Sequence, residues 1–292
     1  MSTCFICQRD LNDSVFLKQG IRFGPDIEVR RCSGCGLVHL WPLASSDELD
    51  RYYSGEYREE YQEPRVEERF ISDLGEARER VQRLLPMLGQ EDRILEIGSG
   101  SGAFLESIRP YVMVTEGVEP DQPSCQWIQD TLGLKAYSHL DMVSAERGRY
   151  DWIFMYHVLE HLRDPVAFLK QLTPLLKPGG RLLVEVPNVE DALVSLYAVP
   201  AYLDFYYQKV HLYYFSTRTL TDTLERAGFK ATIQGVQRYD LSNHIQWMRT
   251  GAPGGQAFFD KVFSHVLNAA YAESLILGGL SDTIMAITAP TE

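Results

Sequence analysis

Four of the five cysteines fall into two pairs, Cys4-x-x-Cys7 and Cys32-x-x-Cys35, with 24 residues between them. Two knuckles of this spacing present four thiolates to one tetrahedral zinc, and the glycines of CSGCG suit the tight turn of a knuckle. Disulfides are the competing use of such pairs. The opening MSTCFICQRD lacks a charged segment followed by an apolar one, so the thiols are expected reduced and the protein cytoplasmic. Four sulfurs close the coordination sphere, which makes the expected zinc structural. Cys125 stands alone and reads as a helix residue.

A second chemical stretch is RILEIGSGSGAFLESI, residues 93–108, where an apolar segment runs into Gly98, Gly100 and Gly102. Glycines after a buried strand let the main chain turn tightly and approach a ligand closely. Gly98, Gly100 and Ala103 satisfy the dinucleotide fingerprint, and Glu119 lies about 20 residues on, where a ribose-binding acid belongs. Glu96 decides between owners of this loop. A carboxylate two residues before Gly98 repels a pyrophosphate but suits a ligand bearing a sulfonium and an ammonium group, as S-adenosylmethionine does.

A third stretch, HVLEH, spells the His-x-x-Glu-His of one zinc-peptidase class in His157, Glu160 and His161. It follows the fourth strand of the expected cofactor-binding sheet, which favours a different use. His157 then either shapes the cofactor pocket or acts in catalysis, whereas Glu160 and His161 are expected to be structural, at a helix start and on the surface.

The elements that must position these groups read as follows. Between the knuckles, SVFLKQG and DIEVRRC predict short strands around a turn at Gly24-Pro25, the layout of a zinc ribbon over residues 1–45. Residues 46–89 predict a connector in which Tyr52, Tyr53 and Tyr57 precede a helix of roughly Val66 to Leu85, its mixed charges forming mainly a solvated face. From residue 90 to 292, apolar strands alternate with amphipathic helices, predicting an α/β fold with a doubly wound, seven-stranded, Rossmann-like sheet whose last strand is antiparallel. An aromatic insertion around 189–215 reads as a lid, with Tyr206, Tyr207, Tyr213 and Tyr214 as hydrogen-bonding walls for an enclosed polar molecule.

Composition limits the partners. The chain has 292 residues, 45% of them hydrophobic, and a net charge of −12. The acidic balance argues against a wide nucleic-acid footprint, since phosphate neutralisation needs clustered Lys and Arg. The first 45 residues carry five Lys or Arg and four Asp or Glu, so the ribbon lacks a basic face and is expected to dock on the neighbouring domain. No apolar run approaches the ~18 residues of a membrane span.

The stretches LEIGSGSGAFL, GVEPD and YDWIFMYHVLEHLRDPVAFLKQLTPLLKPGGRLLVEVPN resemble the motifs of class I S-adenosylmethionine-dependent methyltransferases over about residues 90–290. The resemblance implies that Glu96, Gly98, Gly100 and Gly102 cradle the methionine end of the cofactor, that Glu119 bonds the ribose hydroxyls, and that Ser138 and His139 border the adenine. The stretch RCSGCGLVHLWPLASSDELDRYYSGEY is similar to the zinc module in front of many bacterial methyltransferases of sugar and surface-polysaccharide pathways, and KVHLYYFSTRTL resembles the same group, placing His211 near the acceptor. The expected function is therefore methyl transfer to a small polar metabolite, a nucleotide sugar or polysaccharide precursor, with His211 favoured over His157 as the base and nucleic acid disfavoured as partner. The alternatives are an RNA methyltransferase with a zinc module and a non-catalytic S-adenosylmethionine-binding protein.

Overall fold

The computed structural model describes residues 3–45, 48, 64–143 and 148–290. Tyr52, Tyr53 and Tyr57 lie outside them. Seven strands form one sheet: β4 (Arg93–Ile97), β5 (Val114–Val118), β6 (Lys135–Tyr137), β7 (Tyr150–Tyr156), β8 (Leu176–Pro187), β10 (Phe229–Val236) and β11 (Thr283–Pro290). Their order is β10-β11-β8-β7-β4-β5-β6, with β4 parallel to β5 and β7, and β5 parallel to β6. The last strand of the chain, β11, lies between β10 and β8, and its antiparallel course completes the expected Rossmann-like arrangement. Burial of Ile94, Leu95 and Ile97, and of Trp152 through Tyr156, explains why these stretches read as continuous apolar runs: strands covered on both faces have no solvent side.

Four further strands make a second sheet in the order β1-β2-β3-β9, namely β1 (Val15–Ile21), β2 (Gly24–Arg31), β3 (Val38–Trp41) and β9 (Tyr213–Tyr214). The hairpin closes on the pair Ile21 and Gly24, so the turn is Arg22-Phe23, with Phe23 at φ 60°, rather than Gly24-Pro25. The helices are α1 (Val66–Leu84), α2 (Ala103–Ile108), α3 (Gln122–Asp130), α4 (Pro165–Leu172), α5 (Ala192–Ser195), α6 (Pro200–Tyr206), α7 (Thr217–Arg226), α8 (Leu241–Thr250) and α9 (His265–Leu277). The sequence reading has no counterpart for β3 or α8.

The chain divides into two compact units. One comprises Met1–Ala44, Leu159–Val166 and Glu185–Ile287. Here the ribbon and the aromatic insertion share a core: Val29, Val38 and Leu40 pack with Leu193, Tyr202, Tyr206, Tyr207, Tyr214 and Trp247. Pairing of Val38 with Tyr214 and His39 with Tyr213 adds β9 to the ribbon sheet, and the Phe5 ring meets Tyr213 edge-on at 4.8 Å. The expected docking of the ribbon thus takes the form of a shared sheet. The four tyrosines read as lid walls are buried instead, because their rings supply the apolar core that a ribbon of this size lacks. The other unit comprises Ser45–Val158, Ala167–Val184 and Thr288–Glu292 and holds the glycine loop.

Asp191 caps α5, accepting from Leu193 N at 2.8 Å and from Tyr202 Oη at 2.7 Å. Burial raises its carboxyl to about 7 from an ordinary value near 3.8. The folded state thus holds this proton more tightly than the unfolded chain, so its contribution to stability is full at acid pH and is lost as pH climbs from about 4 to 7. The Asp191→Asn variant should therefore gain stability relative to the native chain across that window, by up to about 4 kcal/mol, and the difference should then level off. Paired thermal denaturation curves at pH 4 to 8 check this; a constant difference would contradict it.

Candidate functional site

Glu96 sits on the central strand, in register with Gly117 of β5 and Phe154 of β7. It is 3% exposed, and its Oε2 is buried without a hydrogen-bond partner among the described residues. Burial pushes its carboxyl well above the usual carboxylate range; the Arg80 guanidinium opposes this, while Glu119 and Asp73 reinforce it. An acid held in apolar surroundings with an unused oxygen is a receptor for a cation, since an arriving positive charge repays the cost of ionising it.

The loop after β4 wraps this acid. Gly98 has φ 72°, and a Cβ there would lie 2.5 Å from Val158 Cγ2, so both the backbone conformation and the space demand glycine. Gly100 has φ 53°, and a Cβ there would meet nothing within 4 Å, so this part of the loop borders open space. The Gly100 N–H donates to Glu119 Oε2 at 2.7 Å, and the Asp121 N–H donates to Glu119 Oε1 at 2.8 Å. Glu119 therefore ties the loop to the end of β5. Gly102 caps α2 in the left-handed conformation.

Helix α1 contributes more than a solvated face. Arg69, Asp73, Glu76 and Arg80 recur at helical spacing on one stripe. Asp73 Oδ2 accepts from Ser101 Oγ of the glycine loop at 2.6 Å, Arg69 donates to Ser124 Oγ at 2.6 Å, and the Arg80 guanidinium lies 4.1 Å from the centre of the Tyr156 ring. Sequence reasoning missed these residues, although their spacing, one charge every three or four positions, was the available signal. Glu116, buried on β5, collects Tyr150 Oη at 2.5 Å, Tyr137 Oη at 3.2 Å and Arg149, locking β5, β6 and β7 together beneath the site.

The remaining expected site residues are dispersed. Ser138 and His139 follow β6; the Ser138 hydroxyl contacts Met142 Sδ at 3.2 Å, and His139 is exposed. His157 ends β7 at φ 54°, a left-handed conformation that costs a non-glycine residue on the order of 1 kcal/mol and marks a position held by its surroundings. Glu160 and His161 belong to a 3-10 turn over Leu159–His161, not to a surface helix start: Glu160 is 1% exposed. His211 lies in the other compact unit with these two, on a turn closed by its N–H donating to Gln208 O at 3.1 Å. Its neighbour Tyr214 fixes that turn by accepting from Gln208 N at 2.7 Å and donating to Gln208 O at 3.2 Å.

The four paired cysteines are free thiols with their sulfurs gathered within 4.8 Å. Cys4 and Cys35 stand 3.6 Å apart, and Cys7 and Cys32 3.4 Å. Sulfurs bound tetrahedrally at about 2.3 Å from one zinc lie about 3.8 Å apart, close to this spacing. The Cys4–Cys35 hydrogen bond lowers Cys4 to about 5 and raises Cys35.

Residues 67–234 match the family described as Methyltransferase domain. The chain belongs to this family. The match begins inside the stretch read as a connector, which agrees with the contacts α1 makes to the glycine loop. Membership upholds the expectation of a methyltransferase domain. Among curated proteins, a tRNA U34 carboxymethyltransferase of Syntrophotalea carbinolica is 37% identical over 128 residues, 41% of this chain and 39% of that protein. The protein of that name from Klebsiella pneumoniae is 32% identical over 183 residues, 58% of this chain and 54% of its own. The chain spans about half the length of the curated relatives it matches. A solved structure titled as a SAM dependent methyltransferase from Archaeoglobus fulgidus is 18% identical, with a TM-score of 0.52 over 81% of this chain and 99% of that one, a likeness of fold. The tRNA-directed relatives overturn two expectations, the nucleotide-sugar or polysaccharide-precursor acceptor and the low standing of nucleic acid as partner, and favour the RNA alternative. Among the described residues no helix is long and apolar enough to cross a membrane.

The close approach at Gly98 gives a direct test. Gly98→Ala should weaken S-adenosylmethionine binding at least about tenfold in calorimetry, since its methyl must displace Val158 and its left-handed φ is strained. Gly75→Ala, a helical position with open space around it, should leave affinity unchanged. Equal affinity in native protein and the Gly98 variant would contradict the assignment.

Proposed function

We propose that this chain methylates an RNA acceptor of the tRNA class. The observation that carries the reading is the set of curated relatives named for action on tRNA U34. In this reading Glu96 receives the ammonium group of S-adenosylmethionine, the Gly98–Gly102 loop admits its methionine end, and Glu119 receives its ribose hydroxyls. Ser138 and His139 border its adenine. The orphaned Glu96 oxygen is the feature that fits a cationic donor. When bound, that donor supplies a methyl group already activated on a sulfonium; the protein's task is alignment and removal of an acceptor proton. His157, held in its strained backbone at the end of β7, carries the acid–base role here. The cysteine cluster holds one structural zinc, supported by the sulfur spacing.

The acidic balance of the whole chain is compatible with an RNA substrate read locally. Single-stranded bases stack on aromatic rings and guanidinium planes, which needs few charges. The ribbon offers such groups: Phe16 is 54% exposed and Phe23 46%, and the Arg22 guanidinium lies 5.0 Å from the centre of the Phe23 ring. Incubating the protein with methyl-labelled S-adenosylmethionine and bulk tRNA should place label in a polymer that ribonuclease degrades to labelled nucleosides. Label confined to small metabolites of a cell extract, with none in RNA, would overturn the reading.

A further inference from the structure

Within the unit that contains the ribbon, a second group of metal-binding side chains is assembled from two distant stretches. Glu160, His161 and His211 each bring a ligand atom to within 4.8 Å of the others. The two imidazoles meet edge-to-face with centroids 4.8 Å apart. The Leu212 N–H donates to Glu160 O at 2.9 Å, so the main chain itself joins the stretches that carry the three side chains. Tyr213 adds a second tie by donating its hydroxyl to Arg163 O at 3.1 Å. Glu160 is almost fully buried, where a carboxylate is costly unless a cation or donors meet it.

From this geometry we infer that Glu160, His161 and His211 bind a divalent transition-metal ion separate from the cysteine zinc. Two imidazoles and one carboxylate form a mixed nitrogen and oxygen donor set, which suits Zn2+, Mn2+, Fe2+ or Co2+ and discriminates against the soft ions that thiolates select. Ligand atoms about 2.1 Å from one ion lie about 3.0 to 4.2 Å from one another, so closure from a spacing within 4.8 Å requires shifts on the order of an ångström. Three protein ligands leave open coordination positions, in contrast to the closed four-sulfur cluster. Those positions take water or a hydroxyl oxygen of a bound ligand, whose proton the ion makes more acidic. His211 is then a metal ligand rather than a free base. The turn that carries it is fixed by Tyr214, whose β9 pairing continues the ribbon sheet, so the ribbon holds one side of this second site in place.

Titration of the metal-stripped, reduced full-length protein with Co2+ separates the two sites by spectrum. Thiolate ligation gives an intense sulfur-to-cobalt charge-transfer band, whereas a nitrogen and oxygen site gives weak visible bands alone. The native chain should take up two equivalents, one of each kind. Glu160→Gln and His211→Gln should each lose the second equivalent while keeping the charge-transfer band and the native circular dichroism, which shows that the ribbon and fold persist. Cys7→Ser should disturb the charge-transfer band and leave the weak bands. Uptake of one thiolate-bound equivalent by the native chain, or retention of the second equivalent in the Glu160→Gln/His211→Gln double variant, would overturn the assignment.

Discussion

The site depends on one buried carboxylate. Glu96 is on the middle strand of a parallel sheet, flanked by β5 and β7 and capped by the glycine loop, where water cannot reach it. Keeping an acid there costs stability, and the protein spends much of its local architecture on it. The left-handed glycines let the main chain pass over it, Glu119 pins that main chain, and α1 brings Arg80 to bear on it electrostatically. Under the proposed function, each of these supports a pocket for a positively charged donor. A pyrophosphate-binding loop of the same outline has no use for an anion at that position.

A second constraint is the size of the ribbon. Residues 1–45 cannot bury enough apolar surface to stand alone, and the structure answers with two devices at once. Four cysteines gather at one end, and the aromatic insertion is drawn in as the missing wall, with β9 hydrogen-bonded to β3. The insertion thereby acquires a fixed course, and His211 sits on the turn that enters β9. The path from the thiols to His211 therefore runs through backbone pairing rather than through loose contact.

Much of this was legible in the sequence, and the exceptions have physical reasons. The central strands β4 and β7 could be read because strands buried on both faces are near-continuous apolar runs, whereas β10 at the sheet edge shows the alternation of a half-exposed strand. Strand β3 was missed because LVHLW is short and its pairing with β9 depends on residues far along the chain. The tyrosines of the insertion were read as polar walls, since composition reports a hydroxyl but not which way the ring faces; their burial makes them core. Charges on α1 were assigned to solvent because a mixed-sign stripe looks the same whether it faces water or a ligand loop, and only Asp73 and Arg80 in place decide it. The acceptor class was misjudged for a related reason. Net charge describes the whole surface, whereas recognition of an unstacked base is local.

The dependence on Glu96 can be measured as protons. If burial keeps its carboxyl protonated in the free protein, binding of a cationic donor must expel that proton. Calorimetry of S-adenosylmethionine binding at pH 6, where an α-amino group is already charged, should be run in buffers of different ionisation enthalpy. Donor binding should release protons from the native chain and none from Glu96→Gln, which should also bind more weakly. Binding heats independent of the buffer in the native chain, or the same proton release from the Glu96→Gln variant, would contradict the account.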